Sequence, residues 1–145
     1  MKSVVIDASV AIKWVVEESG TPDALTLLKR APLKAPDLLL AECANILWKK
    51  VERKELLTDE AIMAARLIQQ VDMEIFTTRG LLEDATRLAI ELNHPAYDCV
   101  YLSLALNHGW QFITADTRLL RKLAQMDAAR FNGIALSLAD AKETL

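Results

Sequence analysis

The run Val4-Val5-Ile6 is β-branched at every position, and a carboxylate, Asp7, stops it. A continuous β-branched run without polar alternation suits a strand covered on both faces, as inside a parallel sheet. Parallel strands need long crossover connections, usually helices. The spacing predicts helices over Ala8–Val16, Pro22–Arg30, Leu38–Arg53, Asp59–Val71, Leu81–Leu92, Tyr97–His108 and Thr117–Leu123. Ser9, Thr21, Asp37 and Thr58 fit as N-caps. Further strands are predicted at Leu33–Ala35, Met73–Phe76 and Trp110–Thr114, with a last edge strand around Ile134–Leu138. Strands alternating with helices in this way predict an α/β sandwich with a mostly parallel sheet.

At 145 residues the chain is expected to form one domain, 1–145, with a core that needs no staples. Cys43 and Cys99 form no CxxC pair, and are expected as buried free thiols of a reducing cytoplasm. With only two histidines, His94 and His108, a His-rich metal site is excluded. Asp7 interrupts the first apolar run too early for a signal peptide, and no run approaches the ~18 apolar residues of a membrane span. The net charge of −3 argues against a general nucleic-acid coat, but not against an enzyme meeting nucleic acid at one local site.

Four acids stand where apolar residues otherwise crowd. Asp7 ends the first strand, and Asp116 follows the strand that Thr114 closes, in "FITADTRLL". In open parallel sheets ligands gather at these carboxyl ends. Glu42 lies in "PDLLLAECANILWKK", on one helical face with Asn45 and Lys49. Asp98 lies in the first turn of an otherwise apolar helix, "HPAYDCVYLSLALNHG". Each has an ordinary explanation: a capping acid at Asp7 and Asp116, a solvated stripe or a Glu–Lys contact at Glu42, the helix dipole at Asp98. Brought together, the four would repel and raise one another's pKa values unless a cation sat among them. A hard divalent ion, Mg²⁺ or Mn²⁺, prefers such oxygen ligands.

On these pieces the chain resembles PIN-domain proteins, specifically the VapC-like toxins of bacterial and archaeal toxin–antitoxin pairs. "VVIDASVAIKW", "PDLLLAECANILWK", "AYDCVYLSLAL" and "FITADTRLL" appear in family order over residues 4 to 120. The resemblance implies a three-layer α/β/α sandwich with a five-stranded sheet ordered 3-2-1-4-5, which sets Asp7 beside Asp116. It implies that Asp7, Glu42, Asp98 and Asp116 are the acidic quartet, and that Ser9, Asn45 and Thr114 support ligands or bridging waters. Thr117 fills a position that varies in the family. The implied activity is a Mg²⁺- or Mn²⁺-dependent endoribonuclease that cuts tRNA or rRNA, forms a homodimer and is blocked by a VapB-like antitoxin. Asp7, Asp98 and Asp116 would hold an ion directly, and Glu42 through water or with a second ion.

Lys13, Lys49, Lys50, Arg118 and Arg121 are the cations available to guide RNA, Lys13, Lys49 and Arg118 foremost; each also reads as ordinary surface charge. Trp14 and Trp48 are candidates for stacking on bases or for packing in the core or a dimer interface. Val10, Trp14, Val15 and Val16 suggest an antitoxin-binding surface. Among rivals, a HAD-type phosphatase would want a carboxylate where Ser9 stands. A phospho-receiver domain would want a middle-strand acid and a late lysine that "EIFTTRG" and "ALSLAD" do not supply. A non-catalytic PIN domain that binds RNA or a partner is the third rival.

Overall fold

The computed structural model describes residues 2–126 and 129–144. Among them five strands, β1 (Val4–Ile6), β2 (Leu33–Pro36), β3 (Met73–Phe76), β4 (Gln111–Thr114) and β5 (Ala135–Ser137), form one sheet. Its order is β3-β2-β1-β4-β5, and every pairing is parallel. The helices are α1 (Ala8–Val15), α2 (Thr21–Arg30), α3 (Leu38–Glu52), α4 (Thr58–Gln69), α5 (Leu82–Leu92), α6 (Ala96–His108), α7 (Thr117–Gln125) and α8 (Leu138–Thr144).

The β-branched run explains the centre of the sheet. Val4, Val5 and Ile6 are fully buried, as are Phe112 and Ile113 of the neighbouring β4. Burying each such side chain contributes about 1.5–3 kcal/mol. Helix α6, apolar nearly all round as its sequence predicts, is buried from Cys99 through Ala105. It lies across β1, β2 and β4, with α5 packed along it. The Tyr101 ring stacks on Phe112, centroids 5.6 Å apart. Helices α1, α3 and α4 form a second layer, with α2 beside α1 and α8 beside α2. In register, Ile6 of β1 faces Ile113 of β4, so Asp7 and Thr114 leave the sheet side by side.

The caps depart from expectation at four points. Asp7, with extended backbone, caps α1 through Val10 N, and Ser9 falls inside the first turn. Helix α2 begins at Thr21 itself, after the left-handed Gly20, so the Thr21 hydroxyl looks back. It accepts from Glu18 N and donates to Val16 O. Asp37 has helical backbone angles, which turn its carboxylate away from the first-turn amides of α3; it accepts from Thr78 instead. Thr58 is likewise the first residue of α4, where Glu60 takes up the Leu57 amide. The C-terminal α8 had no distinct signal.

Packing of the early helices also differs. Val10 is fully buried, and Trp14, Val15 and Val16 pack partly against the core. Trp14 is further fixed by its indole N–H, which donates to Ala24 O at 2.9 Å. The surface expected of these four residues is therefore largely spent on the fold. Helix α3 buries Leu39, Cys43 and Leu47 only, because a single stripe packs against α1, α4 and β2, and Trp48 stays 57% exposed.

Candidate active site

Asp7 is buried, with 6% of its surface exposed, and its carboxylate is held from three directions. Ser9 Oγ donates to Oδ1 at 2.5 Å, Val10 N to the same oxygen at 3.2 Å, and Thr114 Oγ1 to Oδ2 at 2.5 Å. Both hydroxyls are themselves anchored on the segment leaving β4. Ser9 Oγ accepts from Ala115 N at 3.2 Å, and Thr114 Oγ1 accepts from Asp116 N at 3.0 Å. The ends of β1 and β4 are thus tied together through one carboxylate. Burial pushes the Asp7 carboxyl up to about 6; its three hydrogen bonds oppose the rise and the negative charge of Asp98 adds to it.

Glu42, Asp98 and Asp116 line the same cleft of about 490 Å³ as Asp7, together with Ser9 and Asn45. Thr114 is buried beneath it, behind Asp7. Glu42 reaches in from α3 and accepts from the Tyr101 hydroxyl of α6. Burial raises its pKa above the ordinary glutamate value; the Tyr101 hydrogen bond opposes this and Asp98 reinforces it. Asp98 Oδ2 lies 2.6 Å from His94 Nε2, one turn before it. Asp116 caps α7, its Oδ1 accepting from Arg118 N at 2.9 Å.

The guiding cations divide. Lys13 and Lys50 both pair with Glu18, at 3.0 and 2.8 Å, and their side chains are only 14% exposed. Lys49 is exposed on α3, and Arg118 and Arg121 are exposed on α7. Three residues of the site carried no signal that separates them from packing residues. Tyr101 reads as core, and is core, except for its hydroxyl. His94 precedes its helix and reads as loop. Tyr97, exposed at the cleft wall beside Leu38 and Ile46, is the aromatic that the cleft presents.

The donor set suits a hard cation. Among the described residues, Glu42 Oε2, Asp98 Oδ1 and Asp116 Oδ2 accept no protein hydrogen bond while their sister oxygens do. Burial pushes the thiols of Cys43 and Cys99 up to about 12 and about 11, which keeps them protonated and unsuited as thiolate ligands. No three His, Cys, Asp and Glu side chains among the described residues close on one point. Mg²⁺ does not require that: it retains waters and is commonly held by one or two carboxylates plus substrate phosphate.

Comparison with known proteins agrees with the fold. The chain is 29% identical over 127 residues to Ribonuclease VapC3 of Pyrobaculum aerophilum, covering 84% of this chain and 95% of that one. Among solved structures, PAE2754 of Pyrobaculum aerophilum superposes with a TM-score of 0.72 at 20% identity, over 99% of this chain and 88% of the other. VapC20 of Mycobacterium tuberculosis, a toxin that cleaves the sarcin-ricin loop, gives 0.59 at 15%, over 77% and 86%. VapBC2 of Rickettsia felis, solved with a DNA fragment of its promoter, gives 0.63 at 13%, over 93% and 98%. The sequence pattern of the PIN domain matches residues 4–125, and the chain belongs to the PIN domain family.

Proposed function

We propose that this protein is a VapC-type endoribonuclease that hydrolyses RNA phosphodiester bonds, with tRNA or rRNA as substrate, and acts as the toxin of a VapBC-type pair. The observation that carries the reading is the clamp on Asp7, a buried carboxylate fixed by Ser9 and Thr114 at the mouth of a cleft shared with three further acids. Kinship to a named ribonuclease supports the reaction class.

In this reading Asp7, Asp98 and Asp116 would hold Mg²⁺ or Mn²⁺, partly through waters the ion retains, with Glu42 acting through water or on a second ion. A divalent cation, when bound, lowers the pKa of water and offsets charge gathering on phosphoryl oxygens. The protein's own part is orientation. Ser9 and Thr114 fix both Asp7 oxygens, while His94 and Tyr101 each hold one oxygen of Asp98 and Glu42 and leave the other without a protein partner among the described residues. Asn45 offers an amide to the phosphate or to water. The reaction such a set serves is attack of water on phosphorus and departure of the ester oxygen.

We further propose a VapB-like antitoxin as partner, a homodimer as the assembly and the cytoplasm as the location. Leu40 and Trp48 of α3, with Met63 and Leu67 of α4, are exposed apolar side chains that partners would cover. Among the described residues, no helix is long and apolar enough to cross a membrane. The deciding experiment is cleavage of RNA with Mn²⁺ or Mg²⁺, comparing the wild type with Asp7→Asn and Asp98→Asn. Cleavage that is abolished by EDTA and by either substitution is expected. Cleavage indifferent to all three would overturn the reading.

A further inference from the structure

Asp98 and Asp116 line a second cleft as well. It has a volume of about 520 Å³ and opens on the side of these two acids away from Glu42 and Asn45. Its far wall is α7, which contributes Arg118, Arg121 and Lys122, and His94 closes it near the start of α6. Arg118, Arg121 and Lys122 follow the helical repeat, so one face of α7 carries all three. Lys122 Nζ donates to Asn93 O at 2.8 Å, tying α7 to the loop between α5 and α6.

The charge around the acids is lopsided. On the α1 and α3 side, Lys13 and Lys50 are paired with Glu18, Lys50 also lies 3.9 Å from Glu55, and Lys49 is the exposed cation. On the α7 side, three cations face the cleft, yet the acids they share it with already have other partners. Asp98 is bonded to His94, and Asp116 to a backbone amide. Cations gathered beside carboxylates but not spent on them suit an anion arriving from outside. A polyanion crossing the ridge of Asp98 and Asp116 would place one phosphate among the acids and its neighbour among the arginines.

We infer that the α7 cleft is the subsite for the nucleotide on one side of the scissile phosphate, with Arg118 and Arg121 binding the adjacent phosphate. This rests on the nuclease reading of the acid cleft. It assigns a path to the substrate, over α7, across Asp98 and Asp116, and past Tyr97 and Asn45.

The test uses an RNA whose cleaved bond has been mapped with the wild type, and measures its binding by fluorescence anisotropy on the Asp7→Asn background. Adding Arg118→Gln and Arg121→Gln is expected to weaken binding about tenfold and to flatten the log K against log salt slope by about 0.7 for each cation removed. Both arginines are exposed, and circular dichroism checks that the variants fold. An uncharged methylphosphonate at the phosphate on one flank of the cleaved bond should weaken binding to the parent and leave the double variant unmoved. At the other flank it should weaken both equally. An unchanged salt slope, or additive losses at both flanks, would overturn the subsite while leaving cleavage by the wild type intact. RNA neither bound nor cleaved by the wild type would overturn the nuclease reading and the subsite together.

Discussion

Thr114 Oγ1 donates to Asp7 Oδ2 at 2.5 Å, joining residues 107 positions apart in the sequence. The same hydroxyl accepts from Asp116 N, so one threonine sets the position of two acids on two strand ends. Thr114→Val preserves shape but removes both contacts. Loss of a buried partner costs about 1–3 kcal/mol, and the variant should unfold at correspondingly lower urea. Cleavage should fall at least tenfold, while Thr114→Ser, which keeps the hydroxyl, retains most of both. A fully active and stable Thr114→Val would remove the clamp from the account.

Asp7 makes stability depend on pH in a defined direction. Its folded pKa, about 6, lies above the ordinary 3.8, so the folded protein binds the proton more tightly than the unfolded chain. Its contribution is most favourable below pH 3.8, is lost as pH rises toward 6, and levels off above that. A shift of this size corresponds to roughly 3 kcal/mol. Without divalent ions, Asp7→Asn should therefore have the higher Tm at pH 7.5, the gap closing near pH 4. Added Mn²⁺ should raise the Tm of the wild type but not of the variant. Calorimetry across this range checks both signs.

Tyr101→Phe tests positioning without disturbing the stack on Phe112. Burial, with the adjacent Glu42 carboxylate, drives the Tyr101 hydroxyl far above its ordinary pKa, so it serves as a fixed neutral donor. Removing it frees Glu42 to move and to protonate. The half-saturating Mn²⁺ concentration should rise several-fold in calorimetric titration, and kcat should fall, with the unfolding free energy changed by about 1 kcal/mol. Unaltered ion binding would show that Glu42 does not depend on this contact.

Glu18 offers a contrasting case. Burial pushes its carboxyl up, but the Lys50 and Lys13 ammoniums more than offset this and hold it below the ordinary value. Its stabilisation is present above the ordinary pKa of 4.5 and is lost as pH falls through the folded value. Glu18→Gln should destabilise the protein near neutrality by about 1 kcal/mol, allowing for partial exposure. It should also release Lys13, Lys50 keeping Glu55 at 3.9 Å, and thereby strengthen RNA binding at low salt. Salt-dependent anisotropy on the Asp7→Asn background reads the second effect.

The sheet was legible because burial on both faces leaves a continuous β-branched run, and Val4–Ile6 shows it without ambiguity. The four acids were legible because carboxylates among apolar neighbours are costly and therefore conspicuous. Ser9 was read both as a cap and as support for the site; Asp7, two residues earlier, takes the cap, and Ser9 donates to its carboxylate. His94 and Tyr101 were not legible. Their roles arise from the oxygen each reaches, His94 that of Asp98 in the first turn of α6 and Tyr101 that of Glu42 on α3, and residue type does not encode that. The burial of Val10 and the exposure of Trp48 were likewise hidden, because an apolar residue near a core and one awaiting a partner look the same in one dimension.

The link between Asp7 and Thr114 also has a consequence during synthesis. At about 5–20 residues per second, the ribosome delivers the second partner roughly 5–20 seconds after the first. Until β4 emerges and docks beside β1, Asp7 lacks its Thr114 partner, and Asp116 does not yet exist. A nascent or prematurely terminated chain therefore carries most of the acids but no assembled cleft. The acid cleft is assembled only after residue 116 has been made and β4 has docked beside β1.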